Sequence, residues 1–282
     1  MNEQTAYTIT GKLALIVWVL AFIGVVAVAK IIFKQTLKMF KYIINSLNKQ
    51  TLTLQKPQRK KAENRYTKEL NEYYQSTYFL TTKNRYEDVQ YDKGLLGEYN
   101  IFRMLRTFEN YGARFLFNCY LPREHNETTE IDIILLTHNG IFVIESKNYD
   151  GWIFGSEDQD LWTQTLPAGN KIHKTHFYNP IRQNSTHIKY LKKIIGDNLP
   201  IYPIIIFSDN CTLKDIKVTN PETKVIYLGH AIRTVSDLST KTPNSISQEN
   251  LVSIYDKLFP YTQVSESIKQ QHIRNINKKI KM

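Results

Sequence analysis

Residues 131–136 read IDIILL, residues 141–147 read IFVIESK, and Thr137, His138, Asn139 and Gly140 lie between them. Two short apolar runs joined through Asn-Gly predict a hairpin inside a sheet. A sheet interior strongly disfavours an unpaired charge, yet these runs carry Asp132, Glu145 and Lys147. The three groups must therefore be paired, metal-bound, or at a strand end beside a cleft. Strand alternation puts Glu145 and Lys147 on one face.

Such a set suits phosphodiester hydrolysis, which calls for hard cations held by carboxylate oxygens to polarise the phosphoryl group and activate water. Asp132 and Glu145 could supply ligands, with the Ser146 carbonyl as a further one. Lys147 could orient the water or neutralise charge developing on the phosphate. A plainer reading makes Glu145 and Lys147 a structural ion pair at a sheet edge. Glu130 competes with Asp132, being two residues away on the same strand. Asp132 is preferred because apolar residues flank it, whereas Glu130 follows the polar run at 126–129.

The acid, the hairpin and the Glu-Ser-Lys run resemble the PD-(D/E)XK nuclease superfamily, and their surroundings are similar to the NERD, or nuclease-related, domain. The matching pieces are Gly94-Leu95-Leu96-Gly97-Glu98, Ile131-Asp132, Ile144-Glu145-Ser146-Lys147-Asn148 with Gly151, then Trp162, and Asn179-Pro180 with Gln183. Together they span roughly residues 90–210. Ile131 stands where the superfamily name has proline. The resemblance implies an α/β fold with a mixed central sheet flanked by helices. It implies a site of Glu98, Asp132, Glu145, Lys147 and Gln183, with Mg²⁺ or Mn²⁺ on Asp132, Glu145 and Glu98, acting on DNA or RNA. On the residues alone, Glu98 is also a first-turn glutamate favoured by a helix dipole. Gln183 likewise reads as a solvated residue in the first turn of a helix capped by Asn179 and started by Pro180. The alternative function is a catalytically silent nucleic-acid-binding or signalling module that keeps the nuclease fold.

From Leu13 to Ala29 the chain carries no charge, and Ile31, Ile32 and Phe33 extend the stretch if Lys30 snorkels. At about 1.5 Å per residue, residues 13–33 reach about 31 Å, which matches a hydrocarbon core of about 30 Å. A cleaved signal peptide competes, since Ala27-Val28-Ala29 has the small-residue spacing. Lys30, Lys34, Lys38 and Lys41 follow the apolar run, whereas Lys12 and the amino terminus precede it against Glu3. The positive-inside rule then predicts a single-pass protein of the cell membrane with its C-terminal domain in the cytoplasm.

The expected organisation is a short extracytoplasmic segment at 1–12, a transmembrane helix at 13–33 and a basic juxtamembrane stalk at 34–89. A nuclease-like domain at 90–260 and a basic tail at 261–282 follow. The formal charge of +11 is spread over the juxtamembrane lysines, residues 56–68 and the tail, so by itself it favours nucleic acid only weakly. Cys119 and Cys211 form no zinc spacing and read as thiols. A helix is expected from Gly94 to about Asn110, a strand from Arg114 to Tyr120 and a loop-rich stretch from Asp150 to Phe177. Beyond it come a helix ending near Gly196, strands at 201–207 and 224–228, and a helix at 250–259.

The lysine flank predicts that protease added to intact cells leaves residues 42–282 undigested. Digestion of that region, or its recovery in the medium beginning at Lys30, would favour the signal peptide.

Overall fold

The computed structural model describes residues 30, 33–45, 63–169 and 171–280. The chain divides into two compact units, Met1–Glu69 and Leu70–Met282. In the first, residues 33–45 and 63–69 are helical. Among the described residues no helix is long and apolar enough to cross a membrane. The span expected at 13–33 lies outside the described residues except for Lys30 and Phe33.

The described residues of the second unit hold nine strands: β1 (Arg114–Pro122), β2 (Thr128–Thr137), β3 (Gly140–Lys147), β4 (Gly151–Ser156), β5 (Leu161–Ala168), β6 (Lys171–Tyr178), β7 (Ile201–Phe207), β8 (Cys211–Lys217) and β9 (Lys224–Tyr227). They form two mixed sheets, β1-β2-β3-β7-β9 and β6-β5-β4-β8. In the first, β1, β2 and β3 run antiparallel, while β7 and β9 lie parallel to β3 and to each other. A return from β3 to a parallel β7 needs a long crossover. The helix Pro180–Ile195 lies within it.

Helices cover both faces of the first sheet. On one side Phe115, Phe117, Ile133, Leu135, Phe142 and Ile144 pack with Ile101, Phe102 and Leu105 of the helix Lys93–Leu105. On the other, Leu116, Ile134, Leu136, Ile141 and Val143 pack with Tyr190 and Leu191 of Pro180–Ile195 and with Leu251 and Ile254 of Gln248–Leu258. Successive strand residues alternate between these cores, as a pleated strand requires. The alternation breaks once on each of two neighbouring strands. Phe117 and Ile133 face the first core, yet Cys119 and Ile131, two residues away, face the second. Asn118 and Asp132 occupy the breaks, and Asn118 takes a left-handed backbone with φ of 49°, which asparagine tolerates better than most residues. The break is where the ionisable groups collect.

The stretch from Asp150 to Phe177 is not loop-rich. It supplies β4, β5 and β6, and with β8 these make the second sheet. Gly155 and Pro167 interrupt the apolar alternation that marks strands in sequence, but sheet pairing tolerates them here, and Gly169 falls in the turn between β5 and β6. Gly155 is needed for contact, because a Cβ there would stand 2.2 Å from Trp162. The buried Trp162 ring lies parallel to Phe207 at 6.1 Å and joins the two sheets. The helix begun at Lys93 ends at Leu105, and a tighter helical segment continues over Arg106–Tyr111. Within the expected tail, Glu266–Ile280 forms a helix whose His272 is buried. Tyr73, Tyr78 and Tyr86 are core residues.

Asn179 ties these parts together. Fully buried, it accepts from the N–H groups of Ile181 and Arg182, capping the helix, while its amide donates to the carbonyls of Ser156, Glu157 and Gln159 in the β4–β5 turn. Asn179→Ala removes the cap and leaves buried carbonyls unmet. A loss of about 2–4 kcal/mol is expected in urea unfolding, and an unchanged midpoint would show that the cap is dispensable.

Candidate active site

Pairing of β2 with β3 extends from Thr137↔Gly140 to Ile133↔Ile144 and stops there. Continuing that register sets Asp132 across from Glu145, at the point where the strands part. The Asp132 carboxylate takes the place of the missing ladder bond, accepting from the Ser146 N–H at 2.7 Å. Glu145 and Lys147 share the face covered by Pro180–Ile195. The Lys147 ammonium donates to Glu145 Oε1 at 2.5 Å and to Gln183 Oε1 at 3.3 Å. The other Glu145 oxygen lies 3.0 Å from His187 Nε2, and His187 Nδ1 lies 2.7 Å from the Thr129 hydroxyl. Glu145 and His187 are both buried.

Glu98 approaches from the opposite face of the sheet. The helix that carries it lies against β3 because Gly97 has no side chain; a Cβ there would stand 2.8 Å from Ser146 Oγ and 2.9 Å from Asn148 Cβ. Glu98 is buried and its Oε2 accepts from Asn118 at 3.1 Å and from Tyr78 at 3.4 Å. The structure therefore brings Asp132, Glu145, Lys147 and Gln183 together, with Glu98 near enough on its helix to repel Asp132. Glu130, the rival acid, does not point away from this group. It lies 3.6 Å from His272 of the C-terminal helix and feels both Glu98 and Glu145.

Burial raises the Asp132 carboxyl well above the ordinary range, and repulsion from Glu145 and Glu98 adds to it. Burial, with repulsion from Glu130 next, raises Glu98 to about 8. Glu130 is also raised, chiefly by burial. Glu145 goes the other way: burial pushes it up, but adjacent Lys147 and the His187 hydrogen bond outweigh that and lower it. Lys147 is raised in turn, since Glu145 and Asp132 together overcome its desolvation. The site thus holds one stable ion pair and three further acids that resist ionising together. A small open pocket adjoins it on the Glu98 side of the sheet, lined by Gly97, Asn100, Ser146, Lys147, Asn148 and Ser208 among others. Of the ionisable group, only Lys147 lines that pocket.

His187, Thr129 and Asn118 were not singled out from sequence. His187 had a signal, since it follows Gln183 by four residues on a helix and so shares its face. Asn118 had none, because its place opposite Asp132 depends on pairing between β1 and β2.

The fold is a mixed α/β domain with buried acids gathered about one lysine. Residues 93–208 match the family model described as nuclease-related domain, NERD. An uncharacterised protein of Bacillus anthracis is 31% identical over 187 residues, covering 66% of this chain and 85% of that protein. No solved structure matches the chain. The chain belongs to the NERD family, consistent with the PD-(D/E)XK nuclease resemblance of its motifs.

Because Glu98 holds its proton up to about pH 8 in the fold but only to about 4.5 when unfolded, the folded state binds more protons between these values. Stability of the metal-free protein then falls as pH rises through that window. Glu98→Gln, which keeps the acceptor oxygen, should raise the melting temperature by several degrees at pH 8 and change it little at pH 4. An equal shift at both pH values would refute the raised carboxyl.

Proposed function

We propose that the protein is a membrane-anchored, metal-dependent nuclease that hydrolyses phosphodiester bonds of DNA or RNA. The observation that carries this reading is the meeting of Asp132, Glu145, Lys147 and Gln183 where β2 and β3 part. The donor chemistry fits a divalent cation. Asp132 and Glu98 carry hard carboxylate oxygens, and their carboxyls are raised first by burial and then by repulsion from neighbouring acids, which a cation would relieve. Asp132 and Glu145, with Glu98, would hold Mg²⁺ or Mn²⁺, which when bound supplies Lewis acidity and a more acidic water.

The chain's own groups divide the remaining work. Lys147, its ammonium held by Glu145 and Gln183 on the face covered by Pro180–Ile195, presents a fixed positive charge that can neutralise charge developing on the phosphate. Gln183 accepts from that ammonium and aims it. His187 fixes the second Glu145 oxygen, and Thr129 fixes His187. The unbroken apolar run at 13–29 and its lysine flank support anchoring with the domain on the cytoplasmic side.

One observation favours a silent binding module instead. Among the described residues, no three His, Cys, Asp or Glu side chains are grouped so as to hold a metal ion. Both Glu145 oxygens are already engaged by Lys147 and His187.

The two readings part in a cleavage assay with single- and double-stranded DNA and RNA and the full chain in detergent, with and without Mg²⁺. On the nuclease reading Lys147→Ala keeps Mg²⁺ affinity or gains some, while turnover falls roughly 10²- to 10³-fold. Asp132→Asn lowers both. No cleavage of any substrate by the parent protein would favour the silent module, and full activity in both variants would show the site to be unused.

A further inference from the structure

We propose that the outer face of the second sheet is a stacking platform for single-stranded nucleic acid. Its role as a feed to the site rests on the nuclease reading; its binding chemistry does not. Strand alternation sorts the side chains of this sheet. Ile153, Trp162 and Cys211 are buried in the core between the sheets, with Phe177 and Leu213 packed against them. Their neighbours point outward. The register sets Trp152 beside Thr165, and Thr165 beside Lys174. It likewise sets Phe154 beside Thr163 and Thr163 beside His176, with Leu161 beside Tyr178. A contact of 3.1 Å between Thr163 Oγ1 and His176 Nδ1 confirms that these two share a face.

Three aromatic rings therefore lie on one side of one sheet. None belongs to a core cluster, and Trp152 and Tyr178 are 48% and 50% exposed. An isolated exposed ring is ordinary, but a group of them on a flat sheet face marks an interaction surface. Charge narrows the partner. Lys174, Lys214 and Lys217 border the rings, against Asp215 as the acid paired onto that face. Asp158 and Asp160, at the β4–β5 turn, are held by Ser156 and Arg182. A slip in register between β4 and β8 leaves Lys214 as an extra residue, with its ammonium 5.4 Å from the centre of the Trp152 ring.

Flat rings spaced along strands and bordered by lysines suit a polyanion whose bases are free to stack. A duplex hides its base faces, so the ligand class is single-stranded DNA or RNA. A base settling on Trp152 would displace the Lys214 ammonium toward the adjoining phosphate. The platform also has a short link to the site. Gly151, which opens β4, follows Lys147 by four residues. The connection is tied to the Glu98 helix by Lys93 to Asp150 at 2.5 Å and by the Asn148 amide to the Lys93 carbonyl at 2.8 Å.

The test measures anisotropy of labelled 15-nucleotide single strands and the matching duplex with the full chain in detergent. EDTA is present so that no cleavage occurs, and cleavage with Mg²⁺ is scored separately. Trp152→Ala should weaken single-strand binding about tenfold, Trp152→Phe should stay within about twofold, and Lys174→Glu should weaken binding and flatten its salt dependence. If Trp152→Ala binds single strands as the parent does, or loses single strand and duplex equally, the platform is overturned, whatever the cleavage result. It is also overturned if Trp152→Ala instead alters self-association or binding to anionic vesicles. Trp152-dependent binding by a parent that cleaves nothing would support the platform and count against the nuclease.

Discussion

The carboxylate of Glu145 is the group on which the site depends. It lies inside the sheet, bonded on one oxygen by Lys147 and on the other by His187. A charge in that position persists only when such partners surround it, and removing one partner from a buried pair typically costs about 3–5 kcal/mol. Those partners impose conditions further out. Lys147 is steadied by Gln183 and His187 by Thr129, so β2, β3 and the helix Pro180–Ile195 must hold one relative placement. Asn179, at the start of that helix, secures the placement by joining the helix to the β4–β5 turn.

A second constraint is the break in strand phase at Asn118 and Asp132. A regular β2 would keep Ile131 and Ile133 in the same core, and Asp132 would then face the opposite one. The break lets Asp132 use its carboxylate in place of a ladder bond to β3. It also turns Asn118 toward Glu98 across the sheet. Local backbone irregularity of this kind commonly accompanies functional positions. Here it gathers acids whose carboxyls are raised by burial first and by one another second.

Much of this was legible in the chain. The IDIILL and IFVIESK runs are apolar over their length and meet at Asn139-Gly140, and both emerged as the central strands. Asn179-Pro180 reads as a helix start and is one. Residues 150–177 were misread because glycine, proline and threonine interrupt their alternation. β4 is secured by pairing with β8, and β5 by Trp162 against Phe207, contacts between distant segments that no local pattern records. The helix Glu266–Ile280 was hidden by its basic composition, and only the fold shows that one side of it presents His272 to Glu130.

The sequence by itself determined which chemistry is available: two carboxylates and a lysine on apolar strands, with a glutamate and a glutamine on two helices, although Glu98 falls in the second turn of its helix rather than the first. It did so because side-chain type and spacing of two or four residues dictate faces without reference to the rest of the chain. Tertiary structure alone decided how those groups are charged and which are engaged. His187 on Glu145, Asn118 on Glu98 and Glu130 beside its fellow acids all arise from pairing across the fold. A carboxyl's ionisation is set by burial and by the charges within a few ångströms, and those are properties of the assembled sheet and its covering helices.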